Sequence, residues 1–192
     1  LEEDDRQYDS EEKVSWTSGA AMLIKSNVFF EVGGFDEDFF AHMEEIDLCL
    51  RIQKKGYELR CNPKSSVYHL GGGTMPYNSP KKVYLNFRNN LFLIIKNHPG
   101  FLFPKLLTRM VIDSLAALKF LSEGKVKLIW CILRAHLSVY KNLPLLLNKR
   151  KILKANKFNI VFEFLSLNFV LNAIFYIAYF IIIGLVGVVL FV

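Results

Sequence analysis

Acidic residues are scarce along most of this chain: residues 51–192 hold four Asp/Glu against 21 Lys/Arg, whereas residues 1–50 hold 14 Asp/Glu against three Lys/Arg. An excess of cations on that scale calls for an anionic partner, either nucleic acid or a membrane surface. The basic residues are interleaved with long apolar runs and lack a folded aromatic platform, which excludes the nucleic-acid reading and favours membrane. Cysteine is also sparse. Cys49, Cys61 and Cys131 are odd in number and far apart, with no CxxC pair and no His-rich partner segment, so neither a disulfide framework nor a Cys/His zinc site is expected. The chain opens with Leu-Glu-Glu-Asp-Asp, without an initiating Met or a basic-then-apolar leader, and is read as a fragment with an internal start. A nucleotide-binding fingerprint is missing too, because Gly71-Gly72-Gly73 follows His69 and leads into Thr-Met-Pro-Tyr, a loop, and not into a helix start.

What is present divides the chain into four parts. Residues 1–14 are polar and acidic with no apolar period, a flexible segment. Residues 15–98 carry the signals of a compact unit. The run Ala20-Ala21-Met22-Leu23-Ile24 suits a buried strand, and Ser26 can cap a short helix through Val32 that Gly33-Gly34 stops. A second helix is predicted from Glu44 to Lys54-Lys55-Gly56, with acids at its start and lysines at its end to suit the helix dipole. Residues 57–61 and 66–69 read as short strands around Asn62-Pro63. Beyond Pro80, Val83, Phe87, Leu91, Ile94 and Ile95 recur at the spacing of an amphipathic helix that Pro99 breaks.

Residues 99–163 contain two further apolar-faced helices, 101–121 and 126–140, separated at Glu123-Gly124 and ended near Pro144. Neither is uncharged enough to span a bilayer, so both are expected at the membrane interface, followed by a basic collar of Lys141, Lys149, Arg150, Lys151, Lys154 and Lys157. Residues 164–192 are predicted to be a transmembrane helix, since 169–192 carry no charge over a length exceeding the ~20 residues that a span needs. The collar places the preceding part on the cytoplasmic side of an inner membrane.

Four motifs follow one another in the compact unit: Ser18-Gly19-Ala20-Ala21-Met22; Gly33-Gly34-Phe35-Asp36-Glu37-Asp38-Phe39-Phe40; Glu44-Glu45-Ile46-Asp47-Leu48-Cys49-Leu50-Arg51; and Val67-Tyr68-His69-Leu70-Gly71-Gly72-Gly73. In that order they resemble the second half of the catalytic domain of family 2 glycosyltransferases, the rhamnosyltransferase-like members especially, across residues 15–98. The resemblance implies an α/β fold: the C-terminal portion of a GT-A, Rossmann-like domain, here followed by amphipathic helices and a transmembrane helix. It implies that the donor-binding half is missing from this fragment.

The resemblance also assigns roles. The second acid of the pair at the helix start is the general base in that family, which carries over to Glu45. Because this chain has Glu where many relatives have Asp, Glu44 stays open beside it. Inverting sugar transfer needs such a base to take the acceptor hydroxyl's proton while that oxygen attacks the anomeric carbon. Gly19, Asp47, Arg51 and Arg88 are the candidate substrate-binding residues. Asp47 is also placed to orient Arg51 at i,i+4 spacing, and Arg88 to meet phosphates or to snorkel at an interface. His69 is the candidate metal ligand for Mn²⁺ or Mg²⁺, whose main ligands would lie in the missing half. The Asp-x-Asp letters of Asp36-Glu37-Asp38 are not that metal motif, because the family places it upstream of the Ser-Gly-Ala strand; Asp36 is read as shaping the turn that places Phe39 and Phe40. The expected partners are a nucleotide-sugar donor, a lipid-linked or glycan acceptor, and a membrane. The competing reading is a non-catalytic, membrane-anchored scaffold.

Overall fold

The computed structural model of the chain describes residues 9–69, 76 and 79–155. Helices α1 (Ser26–Glu31), α2 (Glu44–Lys54), α3 (Pro80–Asn97), α4 (Leu102–Ser122) and α5 (Val126–Ala155) organise these residues, with 3-10 turns at Gly19–Ala21 and Glu37–Phe39. The expected transmembrane helix at 164–192 and the Gly71–Gly73 loop lie outside the described residues. Among those described, no helix is long and apolar enough to cross a membrane.

The α/β expectation holds for the helices and fails for the strands. Residues 20–24, 57–61 and 66–69 form no strand; 20–21 wind into the first 3-10 turn. A strand needs a neighbour to take its backbone N–H and C=O groups. The described residues supply one short neighbour, residues 12–14, which lie against 59–61 through a single antiparallel bridge, Lys13 to Arg60. Val14 N–H donates to Leu59 O at 3.0 Å and Cys61 N–H to Glu12 O at 2.9 Å. Gln53 then ties the same stretch down by donating to Val14 O and Ser15 O. The end of the acidic segment is therefore pinned to the domain.

Helix α2 has the bounds its sequence predicts, and its spacing explains its place. Ile46 and Leu50, one turn apart, join a core with Phe39 of the 3-10 turn and with Leu91, Phe92, Ile95, Val139 and Leu146 from α3 and α5. Leu48 and Ile52 lie on the other side and pack with Val28, Met22, Ile24 and Phe29. α2 is thus sandwiched between two apolar clusters and held on both faces. The turn after α1 requires glycine. Gly34 has φ +64°, and a Cβ there would stand 3.2 Å from the Phe29 ring. Ser26 is the first residue of α1 and does not cap it; Lys25 occupies the cap position without a side-chain bond.

Helix α3 starts with Pro80 after Ser79, whose hydroxyl accepts from Lys82 N–H at 3.4 Å. α5 packs along α3 and departs from expectation at Pro144, which lies inside the helix. A proline there loses one backbone hydrogen bond and costs about 3 kcal/mol. Beyond it, three residues hold the helix to the domain: Leu146 is fully buried, Lys149 reaches Asp36 and Asp38, and Arg150 donates to the carbonyls of Ile95, His98 and Gly100. Lys149 and Arg150 are therefore corrected from membrane-collar cations to internal anchors.

Candidate active site

The site residues lie on the segment from Asp36 to Asp47 and on the helix that supports it. Asp36 caps the 3-10 turn Glu37–Phe39, its carboxylate accepting from Asp38 N–H at 3.1 Å. Phe39 is fully buried and Phe40 exposed, so the turn places the two rings oppositely. Phe40, His42 and Met43 all have positive φ (64°, 68° and 73°), a costly run for residues with a Cβ. Ala41 N–H donates to Phe39 O at 2.8 Å, closing a γ-turn of the rare, strained kind around Phe40.

Asn89 of α3 holds that run in place. Its buried amide nitrogen donates to the carbonyls of Phe39 at 2.9 Å, Ala41 at 2.7 Å and His42 at 2.7 Å, while its oxygen accepts from Arg88 Nε at 2.8 Å. Arg88 adds donors to Asp38 O and Phe39 O, both at 2.9 Å. Two neighbouring side chains thus satisfy the carbonyls that a strained loop turns away from any helix or sheet.

The loop delivers Glu44 and Glu45 to the first turn of α2. Gly19 of the Ser-Gly-Ala motif lies against them: a Cβ on Gly19 would be 3.7 Å from Glu45 Cβ. Glu45 is half-buried and its Oε2 is buried without a hydrogen-bond partner among the described residues, as are Glu44 Oε2 and His42 Nε2. Burial raises the Glu45 carboxyl above its usual 4.5, the Glu44 charge pushes the same way, and the backbone N–H groups of Glu45 and Met43 oppose both. His42 is lowered by burial and by the nearby Lys82 charge. Sequence reading gave no role to His42, and its only signal was its position two residues before the acid pair.

Asp47 and Arg51 sit inside the fold. Asp47 is fully buried and accepts from Arg51 Nε, Lys96 Nζ and Asn97 Nδ2, each at 2.8 Å. Arg51 also donates to Val32 O at 2.5 Å. Lys96 bridges onward to Asp36, and Lys149 completes the chain from α5. The geometry makes Asp47 and Arg51 positioning residues that fix α2 against α1 and α3, with no open face for a ligand. The partner Lys96 went unrecognised because a lysine in a helix's last turn is ordinarily a solvated dipole partner.

Arg88 lines a cavity of about 530 Å³ together with Phe40, Pro80, Lys81, Tyr84, Leu85, Cys131 and Arg134. Glu44 and Glu45 do not line it. His69 is exposed and lies in no helix or strand. No group of three or more His, Cys, Asp or Glu side chains among the described residues is arranged to hold a metal ion.

The chain is similar to curated glycosyltransferases over part of its length. It is 42% identical over 60 residues to the N-acetylglucosaminyl-diphospho-decaprenol L-rhamnosyltransferase of Mycobacterium tuberculosis, covering 31% of this chain and 20% of that protein. It is 38% identical over 60 residues to rhamnosyltransferase WbbL of Escherichia coli, 31% of this chain and 23% of that protein. With the low-salt glycan biosynthesis hexosyltransferase Agl10 of Haloferax volcanii it shares 30% identity over 77 residues, 40% of this chain and 25% of that protein. The matched stretches thus span about a fifth to a quarter of the length of these relatives. No family model and no solved structure matches the chain. These relatives support the glycosyltransferase resemblance read from the four motifs.

Proposed function

We propose that this chain is part of an inverting glycosyltransferase that moves a sugar from a nucleotide-sugar donor to a lipid-linked or cell-surface polysaccharide acceptor, with Glu45 as the general base. The observation that carries the reading is the Glu45 carboxylate itself: half-buried, with an unpartnered oxygen and a raised proton affinity, at the start of a helix clamped on two faces. A base works best when its pKa approaches the operating pH, and burial moves Glu45 in that direction. Glu44 is the electrostatic neighbour that reinforces the shift. Gly19 lies against Glu45, and Arg88 with Asn89 holds the loop that delivers it.

A divalent ion, Mn²⁺ or Mg²⁺, belongs to the proposal on the donor side, with His69 as a supplementary ligand. The described residues gather no ligand set of three or more such side chains of their own. The protein is further proposed to work at the cytoplasmic face of an inner membrane. Exposed Phe103, Leu107, Met110, Val111, Leu118 and Leu121 form one stripe on α4, and exposed Val126, Trp130, Leu133, Leu137, Tyr140 and Leu147 form another on α5. Apolar stripes of this length beside basic residues suit an anionic bilayer surface.

The test is Glu45→Gln in the full-length enzyme, read by single-turnover transfer. The expected loss is about 10²- to 10⁴-fold in the chemical step, with donor affinity unchanged. Wild-type turnover in that variant would remove the general base from the proposal.

A further inference from the structure

Every strongly buried cation of the described fold is answered by an acid or by backbone carbonyls. Lys96 meets Asp36 and Asp47, Arg51 meets Asp47, Arg109 lies beside Asp113, and Arg150 donates to three carbonyls. The cavity between the start of α3 and α5 gathers a different set, exposed Lys81 and Arg134 beside half-buried Arg88. Lys81, Arg88 and Arg134 converge on it, no carboxylate lines it, and among the described residues none of the three makes an ion pair. Arg88 spends Nε on Asn89 Oδ1 and Nη2 on the carbonyls of Asp38 and Phe39, and aromatic faces flank all three cations. Lys81 Nζ lies 4.4 Å from the Phe40 centroid, and the Arg88 and Arg134 guanidinium carbons lie 5.5 Å and 5.7 Å from that of Tyr84.

Three cations gathered without an acid repel one another, and an anion in the cavity removes that cost. Phe40, on the cavity wall, is the residue at the centre of the strained γ-turn, and strain of that kind persists only where the surrounding structure enforces it. The space of about 530 Å³ is far larger than one inorganic phosphate needs and falls within the ordinary range for small-molecule sites. Glu45 lies five positions after Phe40, so the two lie within about 18 Å of each other.

We infer that this cavity is a diphosphate subsite in which Lys81, Arg88 and Arg134 bind the phosphate oxygens while Phe40 and Tyr84 flank the group the diphosphate carries. The choice of a diphosphate over another anion rests on the glycosyl-transfer reading. Two sources share this chemistry, a lipid-borne acceptor diphosphate and the nucleoside diphosphate of the donor.

The experiment uses the full chain in detergent and titrates three probes: inorganic pyrophosphate, UDP with dTDP, and phosphatidylcholine vesicles carrying a polyprenyl diphosphate. Lys81 and Arg134 are exposed, so Lys81→Gln and Arg134→Gln should leave the fold intact, with Lys151→Gln on α5 as the charge control. Each cavity variant should weaken pyrophosphate binding at least about tenfold, as losing a charge-assisted hydrogen bond does, and the control should not. With pyrophosphate weakened, an accompanying loss on the vesicles but not the nucleotides assigns the lipid source, and the reverse assigns the donor. Wild-type pyrophosphate affinity in both cavity variants, or equal weakening in the control, overturns the subsite. If Glu45→Gln retains transfer while the cavity variants lose pyrophosphate, the subsite stands and the general-base reading falls.

Discussion

Replacing Asp47 by Asn removes one negative charge and almost no volume, which isolates what the buried ion cluster contributes. Asp47 accepts from Arg51, Lys96 and Asn97 at 2.8 Å each, with no solvent access. Lys96 keeps Asp36 as a second partner, but Arg51 keeps only the carbonyl of Val32. Stripping one member from a buried pair leaves the other charge uncompensated and costs about 3–5 kcal/mol. For a protein of this size each kcal/mol lowers Tm by about 2–4 °C, so the variant should melt roughly 6–20 °C below wild type. Thermal unfolding of both full chains in the same detergent, followed by far-ultraviolet circular dichroism, reads this directly. Glu37→Gln, an exposed acid nearby, is the control and should move Tm by no more than about 2 °C. An Asp47→Asn Tm equally close to wild type would refute the claim that this carboxylate holds α2 in place.

Further outcomes follow from the same network. Burial raises the Asp36 carboxyl, but hydrogen bonds from Lys149 and Lys96 outweigh it and hold the group at about 2, below its usual 3.8. A depressed acid stabilises fully above its unfolded pKa, so this contribution is lost as pH falls from 3.8 through about 2, and Tm of Asp36→Asn should vary less than wild type across that window. Glu45 has the opposite sign: its folded pKa lies above the unfolded one, so its charge opposes folding at neutral pH, and Glu45→Gln should raise Tm there while slowing transfer. Asn89→Ala leaves the carbonyls of Ala41 and His42 without this donor, while Phe39 O keeps Arg88, and should cost about 1–3 kcal/mol in denaturant unfolding. Asn89→Asp turns a carboxylate toward those carbonyls and should be at least as damaging; a milder effect than Ala would contradict the amide orientation.

Local rules recovered the helices well. The dipole pattern of α2, the Pro80 start and Pro99 stop of α3, and the glycines after α1 act within a few residues of themselves and leave a direct mark on the sequence. The same locality explains the failures. Residues 20–24, 57–61 and 66–69 have strand composition, but a strand is a relation between two segments, and the described residues hold one bridge. Pro144 was expected to end α5 because a proline's cost is local, whereas the Leu146, Lys149 and Arg150 contacts that offset it come from residues more than 40 positions away. Within the site, the acid pair stood out by family pattern. So did Arg88-Asn89; Lys96 and Asn97 did not, because a helix's own sequence does not mark which polar side chain faces inward.

Lys149 and Arg150 give the long helix a mechanical role. Along about 45 Å of α5, these adjacent residues grip, respectively, the acids of the turn that carries Phe39 and the backbone at the end of α3. A pull on the helix along its axis must therefore be transmitted to Asp36, and through the 3-10 turn to the strained residues that present Glu44 and Glu45. Tension or lateral pressure arriving at residue 155 is thereby coupled to the turn that carries Phe39 and Phe40.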